Sequence, residues 1–285
     1  VNSIWNLTNT GLELIVPIDS DSTLDSGRVQ IQAKIGSNAF EILGVFSFIE
    51  SNELGSTKTI SIAGDLVRAI TGYGENDTIS FDAIIYDIPG NETQGIESTR
   101  KLLIDETPSS LITVSYESNF SDSSLATVGH VVTLTFETDV EIQTPSATIS
   151  TQNAIISDLG SNRWSASYEM QDGDTEGVIP FQIATLTDSR GNPTEGTSST
   201  MDGTEVTFDN TQPTLNPVTI LSDNPDTEWA KVGDTVTVTF TGEETLISQT
   251  ATIVTQSAAI TDLGGQVYTA TVSYTHLTLP TTPYV

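Results

Sequence analysis

The chain has no cysteine in 285 residues. That excludes disulfides, thiolate metal sites and a cysteine nucleophile together. Histidine is almost as scarce, with only His130 and His276. A Ser–His–Asp device or a histidine metal site therefore has little to be built from, and no catalytic residue is assigned. Basic residues number nine against 38 acidic ones, for a formal net charge of −29. Beyond Lys101 only Arg163, Arg190 and Lys231 are basic. Such a surface repels nucleic acid, whose phosphates need Lys and Arg, and it repels anionic lipid headgroups. No apolar run approaches the ~20 residues that a membrane span needs, so membrane insertion is not expected. The opening "VNSIWNLTNT" has no Met and no basic leader, and it reads as the start of an excised piece of a longer protein.

What the chain does have is an internal repeat. A shift of 104 residues aligns Val128–Tyr168 with Val232–Val272 without a gap, with 17 of 41 positions identical. "VGHVVTLTF" pairs with "VGDTVTVTF", and "ATISTQNAIISDLG" with "ATIVTQSAAITDLG". The apolar and Thr/Ser positions stay in step while the charges drift. The first hundred or so residues end like the second unit. "DIPGNETQGIESTRKLLIDETP" and "DSRGNPTEGTSSTMDGTEVTFDNTQP" share Asp, two residues, Gly-Asn, a polar loop, a short apolar strand, an Asp and a Pro. These landmarks divide the chain into 1–104, 105–208, 209–274 and a tail, 275–285. The Pro just after each junction favours a stiff, extended crossing.

Within the units the hydrophobic period is two. Val132, Leu134 and Phe136 alternate with Thr133 and Thr135, and Val236, Val238 and Phe240 with Thr237 and Thr239. Trp164, Ala166 and Tyr168 follow the same rule, and so do Ile179, Phe181 and Ile183. This is the pattern of strands with one face in a core and a Thr/Ser face toward water. Turn signals recur at "DLGSN", "QDGDTEG", "DSRGN" and "GYGEN". The repeated stretch 147–168 reads as three strands and their turns. Ala63–Gly74 is the one helix-like segment, expected to be a short turn at most. Trp164 falls on a core face. Short strands at regular spacing, with no helices, give an all-β fold of tandem immunoglobulin-like β-sandwiches, the last one truncated.

With those motifs in view, the chain resembles the tandem bacterial Ig-like repeats of large secreted or cell-surface, adhesin-like proteins. The resemblance rests on "VGDTVTVTF", "DGDTEGVIPFQIATLTDSRGN" and "VTFDNTQPTL" and covers roughly residues 1–274. It implies an extracellular or cell-surface location, neighbouring repeats of the same chain as partners, and work as a stalk, spacer or adhesive module. The tail departs from it. After Val272 the chain reads "SYTHLTLPTTPYV" in place of the second unit's continuation, without an acidic residue or Gly. This stretch is expected to be non-native.

Two binding alternatives remain at this stage. Calcium needs six to eight oxygens at short range. Asp172, Asp174 and Glu176 alternate in one loop, and Asp105, Glu106 and Asp209 sit at the junctions where cadherin-like tandem domains hold calcium. Surface glycans or proteins are the other candidate partners, although neither Trp5 nor Trp229 shows an aromatic neighbour at a readable spacing. The same acidic residues also suit Asx-turns and solvated loops. His130 stands at the turn position that Asp234 holds in the copy, so a turn role is expected for it.

Overall fold

The computed structural model describes residues 3–274. The tail from 275 on, with His276, lies outside the described residues. The chain forms two compact units, Val1–Asp209 and Asn210–Val285. The first unit contains two sandwiches, each around its own cluster of buried side chains. The protein is all-β. Helical structure among the described residues amounts to two short 3-10 turns and one five-residue helix, α1 (Gly64–Arg68), in the segment expected to hold no more than a turn.

The first sandwich comprises β1 (Ser3–Trp5), β2 (Gly11–Pro17), β3 (Arg28–Ile35), β4 (Glu41–Phe48), β5 (Thr57–Ala63), β6 (Thr78–Tyr86), β7 (Glu92–Gln94) and β8 (Leu102–Ile104). One sheet runs β1-β8-β6-β3-β4, with β7 also on β6, and β2 pairs with β5 in a second sheet. The inward residues of the two sheets share one core, including Val16, Ile60 and Ile62 against Val29, Ile31 and Phe81. In β5 the buried positions are Lys58, Ile60 and Ile62. Lys58 is tolerated there because Glu53 pairs with its ammonium at 2.9 Å, which meets the need of a buried charge for a partner. Trp5, which has no aromatic neighbour at a readable spacing in the sequence, is among the largest fully buried side chains.

The second sandwich comprises β9 (Leu111–Ser118), β10 (Leu125–Ala126), β11 (Val131–Thr138), β12 (Ala147–Ile149), β13 (Gln152–Asn153), β14 (Ile155–Gly160), β15 (Arg163–Glu169), β16 (Gly177–Val178), β17 (Phe181–Ile183), β18 (Leu186–Thr187), β19 (Pro193–Thr194) and β20 (Thr207–Phe208). Its main sheet runs β14-β15-β11-β9. Val132, Leu134 and Phe136 do share the buried face of β11, and Phe136 lies opposite Trp164, itself in the core. The other layer is assembled from short pieces: β13-β12-β17, β10-β20-β16 and β18-β19.

The repeated stretch 147–168 makes four strands where three were expected. The chain turns between β12 and β13, with Ser150 and Thr151 in the left-handed region. It then passes to the other sheet at Ala154, whose N–H donates to Ala147 O at 2.9 Å. Ala258 does the same to Ala251 O. The repeated Asp-Leu-Gly is a bulged turn. Asp158 Oδ1 accepts from Gly160 N–H at 2.7 Å, and Asp262 Oδ1 from Gly264 N–H at 2.8 Å. Gly160 and Gly264 have φ of 75° and 82°, a region glycine enters without strain.

The second unit carries β21 (Leu215–Ser222), β22 (Thr235–Gly242), β23 (Thr252–Ile253), β24 (Gln256–Ser257), β25 (Ala259–Gly264) and β26 (Val267–Ser273). Its sheet β21-β22-β26-β25 repeats β9-β11-β15-β14 in register. Facing it, among the described residues, is only the β23–β24 hairpin.

Candidate functional site

In the first unit the two sandwiches meet through a five-residue turn, Asp188–Asn192, the "DSRGN" of the sequence. The turn is held from inside. Asp188 Oδ1 accepts from Asn192 N–H at 2.8 Å and Oδ2 from Asn192 Nδ2 at 3.0 Å. The backbone N–H of Asp188 donates to Asn192 O, and that of Gly191 to Asp188 O. Such a side-chain-closed turn needs no help from neighbours.

The first sandwich reaches this turn from both of its ends. Leu7 N–H donates to Asn192 Oδ1 at 2.9 Å, and Asn6 Nδ2 donates to Arg190 O at 2.7 Å. Asn6 is aimed by its own turn, in which its Oδ1 accepts from Thr8. Asp105, at the end of β8, accepts from Asn192 Nδ2 on Oδ1 at 3.0 Å and on its carbonyl at 3.1 Å. Its Oδ2 takes the Arg190 guanidinium. Asn192 is wholly buried and Asp188 nearly so. One amide group thus ties both ends of the first sandwich to the second, in a place where an unpaired polar atom costs about 1–3 kcal/mol.

A second anchor organises the first sandwich's side. Arg68, on α1, donates to Glu106 at 2.8 Å and to the carbonyl of Asn9 at 3.1 Å, and its guanidinium lies over the Trp5 ring at 5.2 Å. Glu106 N–H in turn donates to Glu75 at 2.9 Å. Burial, together with the neighbouring Glu106 carboxylate, pushes the Tyr73 hydroxyl up to about 12. Gly191 has a φ of 94°, and a side chain there would meet Asn6 Nδ2 at 2.6 Å. The left-handed backbone there favours glycine, and a side chain would push the Asn6 amide away from Arg190 O.

The residues singled out for calcium are distributed as follows. Asp105 and Glu106 face Arg190 and Arg68. A hollow of about 310 Å³ at the joint is lined by Asp105, Asp139 and Asp188, with Arg190 as its cation. Asp174 accepts from Ser150 Oγ, from Gln171 N–H and, at 3.4 Å, from the Tyr168 hydroxyl. Asp172 and Glu176 share its loop. Asp209 follows β20, its N–H donating to Ala126 O. Among the described residues no three His, Asp or Glu side chains form a group able to hold a metal ion. His130 keeps to its turn, where its Nδ1 lies 3.4 Å from the N–H of Thr127 and occupies the role that Asp234 Oδ2 plays for Lys231 N–H at 2.9 Å.

Sequence reasoning missed Asn192, Arg190, Asn6 and Arg68. The available signal was scarcity: Arg190 is one of three basic residues beyond Lys101. The chain's cations mostly serve structure. Lys34 and Lys101 both donate to Glu97, which holds its carboxyl well below the usual range, at about 2. Arg28 lies over the Phe46 and Tyr86 rings.

No protein-family model matches the chain, and no curated protein matches it. Among solved structures it is similar to dimeric latent PorU from Porphyromonas gingivalis, with 11% identity, 85% of this chain and 25% of that one covered, and a TM-score of 0.24. It is also similar to the I9–I11 tandem of titin, with 10% identity, 96% and 88% covered, and a TM-score of 0.27. The chain spans a quarter of the PorU chain. The fold assignment stands on the sheets themselves: all-β, with two sandwiches in the first unit and a four-stranded sheet with one hairpin in the second. No helix among the described residues is long and apolar enough to cross a membrane.

Proposed function

We propose that the chain is a spacer segment of a bacterial surface or secreted protein of adhesin-like type. Its work is to hold a distal domain outside the cell at a set distance and angle, and no catalytic step, cofactor or metal enters that role. The buried Asn192 amide, hydrogen-bonded at once to Asp105 of the first sandwich and Asp188 of the second, is the observation that carries the reading. A flexible string of domains has no use for a fully satisfied polar joint, whereas a spacer that must transmit position does. The strongly acidic surface supports the same reading, because like charge discourages neighbouring modules from collapsing on each other.

The absence of native cysteine makes the test clean. Spin labels at Ser37→Cys and Gln152→Cys, both on exposed turns or short strands of separate sandwiches, give one distance by electron–electron resonance. A single narrow distribution is expected. A broad distribution, as wide as that of a flexible linker, contradicts a spacer with a fixed joint.

A further inference from the structure

The outward face of the first sandwich's main sheet differs from those of the other two main sheets. In the second sandwich that face presents Thr133 opposite Ser167 and Thr135 opposite Ser165. In the second unit it presents Thr237 opposite Thr271 and Thr239 opposite Thr269. Such rows suit a surface that meets only water. In the first sandwich one row runs Phe48, Arg28, Tyr86, Glu92 across β4, β3, β6 and β7, each residue directly opposite the next. Alternation turns this row outward, since the neighbouring Val29 and Ile49 belong to the core. The row lies on the side of the sheet away from that core, so its exposure does not depend on a missing strand.

Arg28 is the odd member of the row. Lys34, Lys58, Arg68 and Lys101 of the same sandwich each pair with a glutamate. Among the described residues Arg28 has no carboxylate partner, although acids outnumber bases 38 to nine in this chain. Its guanidinium lies instead 4.6 Å from the Phe46 ring centre and 4.5 Å from that of Tyr86, two rings set edge to face. Its Nε is buried without a hydrogen-bond partner. Stacking of this kind fixes the plane of the guanidinium, and a planar carboxylate is the acceptor that matches its fork of donors. Phe48 and Phe46 flank it with apolar surface, 68% and 44% exposed. Phe46 reaches Arg28 because Gly44, Val45 and Phe46 of β4 bulge against Gln30 alone. The same bulge interrupts the ladder that an added peptide strand would have to continue.

We propose that this row is a binding site for an acidic oligosaccharide. Arg28 takes the carboxylate of one sugar ring, and Phe48 takes the apolar C–H face of another against its negative π-face. Glu92, exposed at the far end, accepts from sugar hydroxyls. Three strand intervals separate Phe48 from Glu92, about 14 Å at the usual spacing, which is the reach of a short oligosaccharide rather than a single ring. The unpaired cation selects an acidic sugar over a neutral one. The site adds an adhesive contact to the spacer and does not rest on the Asn192 joint.

The full, isotope-labelled chain is titrated with sialyllactose, trigalacturonic acid and lactose while amide resonances are followed. The two acidic sugars separate a sialic-acid source from a uronic-acid source of the same carboxylate. At least one of them is expected to give saturable shifts at Arg28, Phe48 and Tyr86, with an affinity about tenfold or more above that of lactose. Raised salt should weaken this binding. Arg28→Gln is expected to lose about tenfold in affinity for the acidic sugar. Phe48→Ser, changed at an exposed position, should bind several-fold more weakly while keeping the native unfolding temperature.

No shift with either acidic sugar at millimolar concentration overturns the proposal. So do shifts that map away from the row, lactose bound as tightly as sialyllactose, or full affinity in Arg28→Gln or Phe48→Ser. A tetraglutamate peptide that binds the row more tightly than either sugar would make it a protein-docking face, and that result overturns the proposal as well.

Discussion

Two turns in the first unit have the same sequence frame and opposite surroundings. Asp87–Asn91 and Asp188–Asn192 both read Asp-x-x-Gly-Asn. In both, the Asp carboxylate accepts from the Asn backbone and side-chain amides, and the backbone closes between the same two residues. Gly90 and Gly191 share a φ near 95°. Yet Asn91 is exposed and a side chain on Gly90 would touch nothing within 4 Å, while Asn192 is fully buried and Gly191 is closed over by Asn6. The turn is thus a self-contained part of the module. Its use as a joint depends on what is brought against it: Leu7, Asn6, and Asp105 with its Arg190 partner.

The difference can be broken most severely by Asn192→Asp. A third carboxylate would then face Asp105 and Asp188 in a dry place, and a loss of about 4 kcal/mol in the stability of the first unit is expected from urea unfolding. Asn192→Ala should cost about 2–3 kcal/mol, because Asp188, Asp105 and the Leu7 N–H all lose a partner. In the same variant the Leu7 amide should exchange with deuterium at the rate of an open loop. Arg190→Ala should cost only about 1 kcal/mol, since nearly half of that side chain is in water and screening weakens the pair. Asn91→Ala, the twin, should cost about 0.5 kcal/mol or less and leave Leu7 exchange unchanged. A loss at Asn91 as large as that at Asn192 would mean that the turn matters for its own sandwich and not for the joint.

Much of this was legible in the sequence. Period-two alternation identified the buried faces of β11 and β15, and the 104-residue echo anticipated that β22–β26 would copy β11–β15; the match of β21 to β9 lay outside the aligned stretch. The Asp-Leu-Gly turn and the Asp-x-x-Gly-Asn turn were both visible as punctuation, because the rules that place Asx-turns and left-handed glycines are local. The joint was not legible. Leu7 and Asn192 are separated by 185 positions, and no local rule brings them together. The acidic residues at the junction drew attention to calcium, whereas the partners of Asp105 turn out to be an amide and a guanidinium. The count of strands in 147–168 failed for a similar reason: a chain that changes sheets at Ala154 keeps its alternation while it splits one strand into two.

The central claim is that Asn192 fixes the first sandwich against the second. Residual dipolar couplings measured on amides of both sandwiches in the full chain address it directly, because a rigid pair reports one alignment tensor and a hinged pair reports two. The account predicts a single tensor for the native chain and for Asn91→Ala, and two different tensors for Asn192→Ala. Two tensors in the native chain, or one in Asn192→Ala, would contradict it.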